Sequence, residues 1–127
     1  MPFRPGLVGE ATMEVTESDT ALAFGSGGVE VLATPRLIAL CERASFLAVE
    51  DLVPPGHTTV GSGVQFSHLN PTRVGAEVRA EATLEKVEGR RLSFTVSATD
   101  DHGLVGAGKV TRVVVETERF LSRAGAA

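Results

Sequence analysis

Glu42 and His68 are the two side chains of this sequence whose type and position suit acid–base chemistry. Glu42 stands near the middle of the apolar stretch "LATPRLIALCERASFLAVEDLVPPG", next to Cys41. Its neighbours at helical spacing are Ile38, Ser45 and Val49 rather than a run of charges. One reading makes Glu42 a solvated side chain on an outer helix face. The other makes it a carboxylate at the mouth of an apolar groove, suited to general-base or nucleophilic work near neutral pH. His68 shares strand parity with Val60, Val64 and Phe66 in "HTTVGSGVQFSHL". A lone histidine there either fills a half-buried, hydrogen-bonded position or polarises a carbonyl, assists a leaving group or orients a carboxylate.

The remaining candidates have plainer readings. Thr34 precedes Pro35, the pattern of a helix N-cap with Pro at the first helical position, where capping is worth ~1 kcal/mol. Cys41 falls on the same stripe as Leu37 and Ala44, where a thiol is inert packing. His57 follows "PPG", and His102 lies in the turn "DDHG" with Asp100 and Asp101, adjacent carboxylates that suit a hairpin better than a catalytic pair. No Cys/His cluster has metal-ligand spacing, so no metal site is expected.

The elements that must position these residues follow from periodicity. "LVGEATMEVTESD" carries Val8, Ala11, Met13 and Val15 among polar neighbours and reads as a first strand. "FGSGG" at 24–28 reads as a loop. Leu37, Leu40, Cys41, Ala44, Leu47 and Ala48 recur at intervals of three and four, which predicts one long helix within 31–54, ended by Pro54 and Pro55. Four alternating stretches over 58–118 follow, with turns at "NPTRVG", "EGRR" and "DDHG", and 122–127 reads as a frayed tail. One long apolar helix needs a wide sheet to cover it. The expected fold is α+β, a single hotdog domain over 1–127 with an antiparallel sheet wrapped around one central helix. An open sheet edge asks for a partner, so a homodimer with a shared sheet is expected.

Composition bounds the function classes. The chain has 127 residues, 43% apolar, with six Phe and neither Trp nor Tyr, so Val, Leu and Ala must build the core. A net charge of −4 with scattered Lys and Arg gives no basic footprint for nucleic acid. One cysteine suits a reducing compartment, no apolar run approaches the ~20 residues that cross a bilayer, and "MPFRPG" lacks a signal-peptide pattern. The expectation is a cytoplasmic protein with neither membrane nor nucleic-acid partner.

Thr34, Glu42 and His68, in the settings "LATPRLIALCERA" and "VEGRRLSFTVSATD", resemble the fluoroacetyl-CoA thioesterase group of hotdog proteins over about Val31 to Val115. The specific part is the spacing, eight residues from Thr to Glu and twenty-six on to His. The resemblance implies an acyl-CoA thioester hydrolase with Thr34, Glu42 and His68 catalytic, Gly61 and Arg112 contacting substrate, and no cofactor beyond the coenzyme A of the substrate. In this reading Glu42 activates water or attacks the carbonyl, His68 stabilises developing charge and helps the thiolate depart, and the Gly61 amide could donate to the oxyanion. Arg90 or Arg91, otherwise a solvated edge, could meet coenzyme A phosphates. Two lid phenylalanines of the fluoroacetyl-specific enzymes are replaced here by Gly25 and Gly28, which leaves a small or medium acyl group as the expected substrate. On one straight helix Thr34 and Glu42 stand about 12 Å apart, which suggests a site completed across a dimer interface. The rival expectations are a non-catalytic acyl-CoA or small-ligand binding hotdog protein and a hotdog hydratase or dehydratase. The latter class pairs an Asp and a His close together, and no such pair is evident here.

Overall fold

The computed structural model describes residues 2–125. Five antiparallel strands form one sheet: β1 (Val8–Glu14), β2 (His57–His68), β3 (Glu77–Glu88), β4 (Arg91–Asp100) and β5 (Gly103–Glu116), in the order β1-β3-β4-β5-β2. A short helix α1 (Ala21–Phe24) precedes the long helix α2 (Thr34–Val49), and α3 (Thr117–Arg123) follows β5. Helix α2 lies chiefly over β1, β3 and β4.

Alternation decides which residues meet the helix. Val78, Ala80, Ala82 and Leu84 of β3 and Leu92, Phe94, Val96 and Ala98 of β4 are buried with Leu37, Leu40, Cys41, Ala44 and Val49 of α2. Burying each large apolar side chain of this set stabilises the fold by about 1.5–3 kcal/mol. The alanines keep the sheet surface low, so the helix can settle close. Gly9 does the same on β1: a Cβ there would run into the backbone of Ala44 and Ala48. This is the hotdog arrangement expected from the sequence.

Several boundaries differ from the sequence reading. Helix α2 begins at Thr34 with Ala33 as N-cap, and no side chain caps it. It stops at Val49, and Glu50–Leu52 form a single 3-10 turn before Pro54. Val31 and Leu32 instead make isolated bridges to Arg73 and Thr20. On β1 the inward residues are Gly9, Ala11 and Met13, while Val8 is exposed. The last strand ends at Glu116, and residues 117–123, read as the end of that strand and the start of a tail, form α3. Of the tail expected over 122–127, residues 126 and 127 lie outside the described residues. The other turns fall where expected. Asp100 closes the β4–β5 hairpin by accepting from the His102 N–H and the Thr72 hydroxyl, both at 2.8 Å.

Candidate active site

The open corner of the molecule lies where α2 faces β5 and β2. Strand β2 has one irregularity, a register shift between Gly61 and Gly63 opposite Arg112 and Thr111 of β5. This bulge has a direct consequence for the site. Gly61 and His68 are seven residues apart, which on a regular strand would place them on opposite faces. The extra residue restores the parity, so both Gly61 and His68 address the helix side. Thr59 and Gly61 face α2 before the bulge, and Phe66 and His68 after it.

His68, at the end of β2, meets the first turn of α2. Thr34 Oγ1 and His68 Nδ1 share a hydrogen bond of 2.7 Å. The Thr34 hydroxyl is therefore occupied by a residue of a distant strand, not by the helix end. His68 Nε2 is buried and has no hydrogen-bond partner among the described residues. Burial lowers the His68 pKa from the ordinary 6.5, with the Asn70 backbone opposing it, because desolvation disfavours the charged ring. Beside this pair a cavity of about 440 Å³ is lined by Gly27, Val29, Val31, Leu32 and Leu69 as well as Thr34 and His68.

Glu42 lies two turns further along α2 and belongs to a second cluster. Its side chain is 37% exposed, and its Oε2 stands 4.0 Å from Arg112 Nη1. A Cβ at Gly61 would meet the Glu42 carboxylate where it now lies, so the glycine leaves that position to the Glu42 side chain. Arg112 is 6% exposed. Its Nε donates to Thr59 Oγ1 at 2.9 Å, its Nη2 to the Thr59 carbonyl at 3.0 Å, and its Nη1 to Ser45 Oγ at 3.4 Å. Phe46 covers the guanidinium at 5.6 Å from the ring centroid. Burial lowers the Arg112 pKa and the nearby Glu42 charge opposes that shift.

Within one chain, then, the five predicted residues form two groups, Thr34 with His68 and Glu42 with Gly61 and Arg112. Eight residues of helix separate Thr34 from Glu42 by about 12 Å. Sequence reasoning missed Thr59 and gave Ser45 only as a neighbour of Glu42. Both are buried polar residues, and the one signal available was a hydroxyl at an inward-facing position. Cys41 is buried, and desolvation pushes its thiol up to about 12, in keeping with packing rather than chemistry.

A single long helix cupped by a curled five-stranded antiparallel sheet defines a hotdog-fold protein. The chain belongs to the fluoroacetyl-CoA-specific thioesterase family, whose profile matches residues 15–118. It is 37% identical to the fluoroacetyl-CoA thioesterase of Streptantibioticus cattleyicolor over 91 residues, which cover 72% of this chain and 66% of that protein. Among solved structures it is similar to the fluoroacetyl-CoA thioesterase FlK, with a TM-score of 0.90 and 29% identity over 98% of this chain and 96% of that one. A thioesterase superfamily member from Thermus thermophilus superposes with a TM-score of 0.85 at 26% identity, over 99% and 98% of the two chains.

Proposed function

We propose that this protein hydrolyses a small or medium acyl-CoA thioester, at a site made by two copies of the chain. The observation that carries the reading is the pair of half-sites: a threonine–histidine couple beside a cavity, and a half-exposed glutamate beside a glycine. Neither half suffices for acyl transfer, and together they hold a base and a carbonyl-polarising donor. Strand β2 is an edge of the sheet, and Gly61 to Gln65 along it are exposed. Antiparallel pairing of two such edges about Val64 and Gln65 would bring His68 beside the partner subunit's Gly61. Each site would then draw Thr34 and His68 from one protomer and Glu42 from the other.

In the proposed reaction Glu42 takes a proton from water, and the oxygen attacks the thioester carbonyl carbon. Its half-exposed carboxylate is within reach of water. The neutral His68, with Nδ1 accepting from the Thr34 hydroxyl, donates from Nε2 to the developing oxyanion. The carbon–sulfur bond then breaks, and the thiolate takes up the proton that Glu42 removed. The acyl chain fits the cavity beside Thr34, which Ser26, Gly27 and Val29 of the glycine-rich loop help to line. Arg90, Arg119 and Arg123, with Glu116 beside Arg119, line a groove of about 410 Å³ whose net positive charge suits coenzyme A phosphates. The reaction as proposed needs no metal or organic cofactor, because the base and the polarising donor both come from the chain. Among the described residues no helix is long and apolar enough to cross a membrane, and the unpaired Cys41 fits a reducing cytoplasm.

Thiol release from a panel of acyl-CoAs tests the reaction. Glu42→Gln and His68→Ala should each lower kcat by ~100-fold or more, the scale of lost acid–base help. Coenzyme A binding without thiol release from any acyl-CoA would instead favour a ligand-binding protein.

A further inference from the structure

Arg112 is a cation held almost wholly out of water, at 6% exposure. A planar guanidinium fixed at several points has a defined orientation, which a lysine ammonium would lack. Thr59 supplies two acceptors, its hydroxyl to Nε at 2.9 Å and its carbonyl to Nη2 at 3.0 Å. Ser45 supplies a third, to Nη1 at 3.4 Å. The Ser45 hydroxyl also donates to the Glu42 carbonyl at 2.7 Å. It therefore ties the guanidinium to the helical turn that carries Glu42. Nη1 carries a second hydrogen beyond the one given to Ser45, and this nitrogen stands 4.0 Å from Glu42 Oε2. A glutamate side chain 37% exposed has other rotamers open to it in water, and here it takes the one that carries Oε2 to Gly61.

We propose that Thr59 and Ser45 are positioning residues that act through Arg112, fixing its Nη1 edge so that the Glu42 carboxylate points at Gly61. The inference rests on Glu42 being the base of the proposed hydrolysis. Thr59 is 4% exposed and Ser45 fully buried, so neither meets the substrate. Their effect belongs on the chemical step, not on binding.

The test is steady-state thiol release by Thr59→Val, Thr59→Ser and Ser45→Ala, each made in the wild-type and the Glu42→Gln backgrounds. Thr59→Val should lower kcat about tenfold or more with KM changed by less than about twofold. Thr59→Ser keeps the hydroxyl and should stay within about threefold of wild type. In the Glu42→Gln background Thr59→Val should add less than about twofold, because the group it positions is gone. Ser45→Ala should follow the pattern of Thr59→Val, and it carries the test if Thr59→Val does not fold by circular dichroism. Full multiplication of the two losses, or a Thr59→Ser defect as large as that of Thr59→Val, would overturn the inference. Unchanged thiol release in Glu42→Gln alone would overturn the base role itself, an outcome separable from the other two.

Discussion

The hydroxyl of Thr34 carries the sharpest lesson at the level of single residues. In sequence, Thr34 before Pro35 has the form of a helix cap. In the fold its hydroxyl binds His68 Nδ1 at 2.7 Å, from 34 positions away in the chain. A local pattern cannot register a partner so remote, so the local reading was drawn to capping. Glu42 and His68, by contrast, were legible because each breaks an apolar pattern. Ser45 and Thr59 were not, since a buried hydroxyl looks in sequence like any other. The state of His68 leads to a pH prediction. Burial lowers its pKa below the ordinary 6.5, so on acidification it stays neutral after exposed imidazoles have charged. If the neutral ring is the donor to the oxyanion, kcat keeps its plateau through pH 6.5 and declines only below it. A pH–kcat profile with a decline centred at or above 6.5 that disappears in His68→Gln would contradict this.

At the level of elements, the bulge of β2 and the close approach of β1 to α2 set the geometry. Alternation alone put Val60, Val64, Phe66 and His68 on one face. The shift between Gly61 and Gly63 instead turns Thr59 and Gly61 inward before it and Phe66 and His68 inward after it. The "GSG" run was the available hint, because glycine inside a strand often marks a bulge. The end of β5 falls earlier than alternation predicts. "RVVVETERF" has no proline or glycine to stop a strand, and α3 begins at Thr117 without such punctuation. The helix–strand contact yields a stability prediction. The Cβ of Gly9→Ala would meet backbone atoms of Ala44 and Ala48, which cannot rotate away as a side chain would. Denaturant unfolding should show a loss of about 1–3 kcal/mol, the usual cost of overpacking. An unchanged midpoint would mean that β1 and α2 are not pressed together.

At the scale of the whole molecule, fold and chemistry meet at the free edge of β2. The strand order leaves β1 and β2 at the margins of the sheet. Unpaired edges invite another chain, and here the edge runs between the two half-sites. The hotdog outline was legible in the sequence because one long apolar helix among amphipathic strands admits few packings. The division of the site was legible only as a distance along a helix, about 12 Å for eight residues. The structure adds that His68 stands with Thr34, and Gly61 and Arg112 stand with Glu42. Subunit complementation addresses the shared site directly. Thr34→Ala and Glu42→Gln chains, each inactive alone, would be mixed, unfolded and refolded together, and assayed for thiol release. A site shared between subunits predicts recovery of about a quarter of wild-type activity, from half of the dimers carrying one intact site of two. Activity no greater than that of the two parent variants, in a mixture shown to contain heterodimers, would contradict it.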